Sequence, residues 1–187
     1  MRRIITSLAL CPAIVLAACG GSGADADGDG EITAEEAVTE ASGMVKPRPG
    51  QYSSSVELVD FDLPGADPQQ VAAMRGMMEG VGRQTHSFCL TEEEADEGFR
   101  KMAENMQNGD CTIQEFDASV SKIDAQMTCN TEQGAASVKL TGTGTAESSE
   151  MTMDMSQTSD MIPGGEMQMV MKVTNRRTGE CEAGADG

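Results

Sequence analysis

From Cys111 to Val173 apolar and polar residues alternate with a period of two, in runs such as "SVKLTGTGT", "EMTMDMS" and "EMQMVMKV". Successive side chains of a strand point to opposite faces, so this period predicts strands with one buried and one wet face. Antiparallel sheets are the architecture that tolerates a wet face. The stretch "CTIQEFDASVSKIDAQMTC" predicts a hairpin turning near Ser119 to Ser121. A turn centred on Val120 sets Cys111 opposite Cys129 and Ile113 opposite Met127. A second hairpin, centred on Met161, pairs Met151 with Met171, Met153 with Met169 and Met155 with Met167.

Upstream the pattern changes. Tyr52, Val56, Leu58, Val59 and Phe61 predict a first strand ending at "LPG", with a bulge or turn-over near Leu58 where the alternation fails. "DPQQVAAMRGMMEGVG" predicts a helix capped by Asp67 and started by Pro68, with Val71, Met74 and Met78 on one face. "THSFCL" is a short strand. "TEEEADEGFRKMAENMQNGD" is a helix with Thr91 and Glu94 as a capping box, acids in its first turn, pairs from Asp96 to Arg100 and Glu97 to Lys101, and an apolar stripe of Ala95, Phe99, Met102, Ala103 and Met106. The fold expected is mainly β: an antiparallel meander of about six or seven strands curved into a half or full barrel, with two helices inserted near the start. A two-layer α+β sandwich is the alternative.

The N-terminal residues are of a different kind. Arg2 and Arg3 precede an apolar run, Ile4 to Leu16, that is too short to span a bilayer. "LAAC", Leu16 to Cys19, fits the cleavage box of a bacterial lipoprotein, so 1–18 read as its signal peptide and Cys19 as the lipidated residue. Gly20 rather than Asp follows, which by the usual sorting pattern points to the periplasmic face of the outer membrane. Residues 19–48, rich in Gly, Ala, Asp, Glu and Ser, read as an acidic flexible tether in which "TAEEAVTEAS" could form a small helix. The domain is expected over 49–181, with 182–187 a disordered tail. Cleavage removes two of 13 basic residues and none of 31 acidic ones, leaving a net charge of −20. Such a surface repels nucleic acid and suits cations or a basic protein partner. The sequence sets no oligomeric state.

Inside that tether, "DADGDGEITAEE" matches the twelve-residue calcium loop position by position. Ca²⁺ wants six to eight oxygens, and the loop offers Asp25, Asp27, Asp29, the carbonyl of Glu31, a water held by Thr33, and Glu36 as bidentate closer. Gly30 falls where the chain must turn sharply, and Ile32 where a small apolar residue usually sits. "CGGSGA" supplies no entering helix, and no second loop is present to pair with. A lone loop of this kind belongs near the weak end of the calcium range, about 10⁻⁴ to 10⁻³ M.

Met151, Met153, Met155, Met167, Met169 and Met171 line one face of the predicted hairpin. Thioethers suit Cu(I) and adapt to lipophilic ligands, but they also fill cores, and core is the reading preferred. Cys89, Cys111, Cys129 and Cys181 remain in an oxidising compartment and read as two disulfides. The pairing expected is Cys89–Cys111 with Cys129–Cys181; its rival is Cys111–Cys129 with Cys89–Cys181. Zinc is disfavoured by the lack of CxxC and by a single histidine, His86. Catalysis is not expected: there is no GxSxG, no GxGxxG and no phosphate-binding loop.

"PGQY" at the domain start, "SFCLTEEEA", "GDC" and "MTC" together resemble domain-of-unknown-function family 3617, over about Lys46 to Cys181. Its members are small exported bacterial proteins, often lipoproteins. The resemblance implies one exported domain with structural cysteines, and carries no activity, substrate or catalytic residue. The functional expectation is a membrane-anchored periplasmic lipoprotein acting by binding or in envelope structure, with a weak calcium loop. A carrier of Cu(I) or a lipophile on the methionine face is the alternative.

Overall fold

The period-two runs fold as strands β3 (Cys111–Ala118), β4 (Lys122–Thr131), β5 (Gly134–Gly144), β6 (Ser148–Thr158) and β7 (Glu166–Gly179), each paired antiparallel with the next. The first strand, β1 (Gly50–Asp62), returns to pair with β7, and β2 (His86–Leu90) adds outside it. The order is β2-β1-β7-β6-β5-β4-β3, a seven-stranded sheet whose two ends do not meet. It is therefore an open sheet, compatible with a half-barrel or sandwich, and not the closed barrel that was one form of the expectation. The computed structural model describes residues 23–25, 27–82, 85–107, 111–131 and 134–181. The expected signal peptide, Cys19 and the 182–187 tail lie outside them.

Among the described residues there are three helices: α1 (Ala34–Ala41), α2 (Pro68–Gly82) between β1 and β2, and α3 (Glu92–Gln107) between β2 and β3. The last two are the expected insertion. At the start of α3, Thr91 donates its N–H and hydroxyl to Glu94 (2.9 and 3.0 Å) and accepts the Glu94 N–H (3.2 Å), the capping box foreseen. Arg100 bridges Glu97 at i,i+3, while Asp96 takes Lys46 across the fold at 2.7 Å instead of serving only its own helix.

One face of the sheet carries the helices and holds two separate cores. Ile113, Phe116, Ile123, Ala125 and Leu140 of β3 to β5 pack with Ile32, Ala37 and Ala41 and with Phe99 of α3. Phe61, Leu63 and Met169 pack with Val71, Met74 and Met78 of α2. The opposite face is polar, with Asp124, Thr141, Thr152, Lys172 and Glu57 in register across five strands. No helix among the described residues is long and apolar enough to cross a membrane.

Register departs from expectation at one hairpin. Met151 faces Val173, Met153 faces Met171, Met155 faces Met169, and Met167 faces Gln157. The turn is centred on Ile162, because Gly164 and Gly165 take φ of +85° and +82° within it and Ile162 packs into the α2 core. Moving a hairpin's centre by one residue shifts partners by two and keeps every side chain on its face. The β3–β4 register is as expected, Cys111 with Cys129 and Ile113 with Met127, followed by a bulge at Gln114. The irregularity foreseen near Leu58 is a second register shift, between Leu58 and Asp60.

The cysteines pair as Cys111–Cys129 (Cα–Cα 4.0 Å) and Cys89–Cys181 (5.5 Å), which corrects the expected Cys89–Cys111 and Cys129–Cys181. Topology explains it. β2 and β3 are opposite edges, so Cys89 is a whole sheet away from Cys111. Cys89 pairs with Gln51, and Gln51 pairs on its other side with Gly179, two residues before Cys181.

Candidate metal centre

The loop ends where α1 begins. Thr33 caps the helix in an extended conformation, donating its N–H and hydroxyl to Glu36 Oε2 (2.9 Å each) and accepting the Glu36 N–H at 3.3 Å. Two left-handed glycines, Gly28 (φ +75°) and Gly30 (φ +87°), bend the preceding residues. Asp25 accepts from both their amides, at 2.8 and 3.2 Å. Asp27 accepts from the Asp29 N–H at 3.2 Å, and Asp29 from the Glu31 N–H at 2.8 Å. These bonds turn the three side chains inward: one carboxylate oxygen from each of Asp25, Asp27 and Asp29 lies within 4.8 Å of the other two. Like charges this close repel, and a divalent cation relieves that repulsion.

The six sequence-designated positions thus divide. Asp25, Asp27 and Asp29 converge. Glu31 and Thr33 are exposed on the run into the helix, and Glu36 serves the cap. To close around an ion, Glu36 would turn one oxygen from Thr33 towards the aspartates. Hard carboxylate oxygens on a tight loop fit Ca²⁺ better than any soft metal.

Within the segment expected as a flexible tether, Ala24, Ile32, Ala34, Ala37 and Ala41 are buried, with α1 packed against α3 and β3. Ile32 is 5 % exposed and forms an isolated bridge with Ile113, donating its N–H to the Ile113 carbonyl at 3.2 Å. Ala37 is fully buried, with Ala24, Ala34 and Ala41 nearly so. The edge strand β3 therefore gives the loop a β partner at Ile32, which the sequence had shown no second loop to provide. The signal for this docking was in the sequence: Ala34, Ala37 and Ala41 fall at helical spacing, a narrow face of small residues easily mistaken for spacer composition. Farther along, the Val45 N–H reaches the Val120 carbonyl (2.8 Å) and the Arg48 N–H that of Ala146 (2.7 Å), fixing the entry to β1.

Most of the methionine face belongs to the two cores. Met169 is buried, and Met155, Met167 and Met171 are half-buried against the α2 core; Met153 packs on the other core. Met151 is half-buried opposite Val173. On the polar face, Asp117, Asp124, Lys122, Thr141, Glu150 and Thr152 line an open hollow of about 370 Å³. His86 is exposed on β2.

Fold and loop together define a disulfide-stapled open sheet with an acidic N-terminal loop docked on one edge. A family model described as "Protein of unknown function (DUF3617)" matches residues 47–181, and the chain belongs to that family. No curated protein and no solved structure matches it. The loop and α1 precede the matched residues.

Proposed function

We propose that this protein is an exported, lipid-anchored binding module of the cell envelope, held by Cys19 at the periplasmic face of the outer membrane, and that its N-terminal loop takes one Ca²⁺ at low affinity. The observation that carries the reading is the loop itself. Every position of the twelve-residue pattern is filled, and Asp25, Asp27 and Asp29 converge within 4.8 Å while flanked by residues packed on the sheet. Docking supports binding by supplying the order that the missing entering helix would have given. The acidic surface, −18 over the whole chain, favours a cationic protein as macromolecular partner and disfavours nucleic acid. The methionine face is the second reading, for Cu(I) or a lipophile; it requires α2 to lift from Met155, Met167 and Met169.

Calorimetric titration tests the first reading. Saturable Ca²⁺ binding with a Kd of about 10⁻⁴ to 10⁻³ M, abolished in Asp25→Asn/Glu36→Gln, is expected. Absence of heat at several millimolar, or binding unaltered in the variant, would reject it.

A further inference from the structure

The polar face of the sheet carries a hollow far from the acidic loop. Lys122, Thr143, Glu150 and Thr174 stand directly across β4, β5, β6 and β7 from one another, and Arg176 follows Thr174 on the same face of β7. Ser121, Thr143, Thr145, Glu150, Thr174 and Arg176 line an open hollow of about 320 Å³, which shares Thr143 and Glu150 with the neighbouring hollow of about 370 Å³. Among the described residues no aliphatic or aromatic one lines it, which rules against a lipophile. Its cations are distinctive. With 31 acidic residues against 13 basic ones, any cation of this chain has an excess of acids to choose from. Among the described residues Lys46, Arg48, Arg75, Arg100, Lys172 and Arg177 each pair with one. Lys122, Lys139 and Arg176 form no ion pair, and all three lie on the polar face. Glu150 stands opposite Thr174, between Lys172 and Arg176 of the neighbouring strand, and pairs with Lys172 at 2.9 Å. The acid in the hollow is thereby neutralised, and Arg176 is left as its charge. Within the described residues the hydroxyls of Ser121, Thr143 and Thr174 make no hydrogen bond either.

We propose that this hollow binds a sugar carrying a single phosphate or carboxylate, with Arg176 and Lys122 on the anionic group and the hydroxyls of Ser121, Thr143 and Thr174 on the ring. The inference goes beyond the calcium reading and stands without it. A guanidinium matches phosphate and carboxylate with two parallel N–H donors, and a neighbouring ammonium adds a point charge. A threonine or serine hydroxyl both donates and accepts, as a sugar hydroxyl does. Thr143 and Thr174 lie two strands apart, about 10 Å, and Glu150 between them adds an acceptor for ring hydroxyls. The volume falls at the small end of the range of about 300 to 1,000 Å³ for ligand sites, room for one small ligand. Asp117 and Asp124 line the neighbouring hollow and repel a second anionic group, so one charge is accepted and a polyanion is not.

Amide-resolved NMR titration of the intact protein in detergent micelles with glucose 6-phosphate tests this, beside glucose and inorganic phosphate as the separate halves of the ligand. The buffer is calcium-free and holds about 0.15 M salt, which screens acids more than about 8 Å away. Saturable shifts at Thr143, Thr145, Thr174 and Arg176 are expected, with glucose 6-phosphate bound about tenfold more tightly than either half. Glucuronate, a carboxylate in place of the phosphate, should move the same amides. Arg176→Gln, at an exposed position, should weaken binding of glucose 6-phosphate by about tenfold. Thr143→Val removes a hydroxyl and suits the strand, and should lower the preference for glucose 6-phosphate over inorganic phosphate. Unmoved core amides at Ala125 and Met169 report that each variant is folded. A glucuronosyl lipid in the micelles that binds more tightly than free glucuronate assigns a membrane-borne sugar; one that binds no more tightly assigns a soluble sugar. Inorganic phosphate binding as tightly as glucose 6-phosphate means an adventitious ion only and overturns the proposal. So do shifts that never saturate, or binding that survives Arg176→Gln/Lys122→Gln.

Discussion

Tyr52 shows how single residues hold the domain entry together. It is buried, stacks on Phe88 at 5.6 Å, and donates to the Arg48 carbonyl. Gly50, two residues earlier, takes φ of +142°, and a Cβ there would lie 2.4 Å from the Gly179 carbonyl and 2.6 Å from Arg177 Nε. Arg177 occupies that space to donate to the Pro49 carbonyl at 2.9 Å. "PGQY" is thus a packing motif: the glycine admits the arginine, and the tyrosine ties the incoming chain to β1. Burial raises the Tyr52 pKa above its ordinary value, with nearby Arg177 pulling the other way. The neutral phenol is favoured in the fold, so this contribution to stability is fully present below about pH 10 and is lost as pH rises through the folded value. With one tyrosine and no tryptophan, phenolate absorbance reads it alone. The midpoint should lie above about 10 in the native protein and return to about 10 on unfolding. A native midpoint at or below the unfolded one would contradict the placement of Tyr52. Gly50→Ala should destabilise clearly in thermal melts, since both conformation and space oppose it.

At the scale of elements, what the sequence revealed follows from what a period-two pattern encodes. It fixes which face a side chain takes, and so the strands, the wet face and the bulge near Leu58 were legible. It does not fix register by multiples of two, so Met151, Met153 and Met155 were assigned to the right face and to the wrong partners. The disulfides were illegible for another reason. Which cysteines meet depends on β1 closing onto β7, a pairing between strands more than a hundred residues apart that no local pattern announces. The Asp25, Asp27 and Asp29 cluster was legible because its geometry is local; the docking of α1 was not, because three alanines look like spacer. The two bridges should differ in effect. Cys89–Cys181 spans 92 residues and Cys111–Cys129 spans 18, so on chain-entropy grounds their loss costs about 4.6 and about 3 kcal/mol. Melting Cys89→Ser/Cys181→Ser beside Cys111→Ser/Cys129→Ser checks this: the first pair should lower Tm more, and the reverse order would mean that strain or residual structure outweighs loop length. Exposure also predicts the order of methionine oxidation by dilute peroxide. Among the methionines whose exposure is described, Met77 and Met161, 74 % and 71 % exposed, should react first and Met169 last, by peptide mass; early oxidation of Met169 would show that α2 lifts readily and would favour the carrier reading.

For the whole molecule, a disulfide-stapled open sheet carries an acidic N-terminal segment packed against β3 and α3. In a chain of net charge −18, three carboxylates gathered at one point have a standing electrostatic reason to take a cation, which is the ground of the calcium proposal. The most direct test is an amide-resolved NMR titration with Ca²⁺. Gly30, whose N–H is held by Asp25, and Ile32, whose N–H is held by Ile113, report the ion and the docking separately. The account predicts saturable shifts at Gly30, Ile32 and Ile113 with one common Kd of about 10⁻⁴ to 10⁻³ M. Amides that stay in place at several millimolar Ca²⁺, or drift together without saturating, would contradict it.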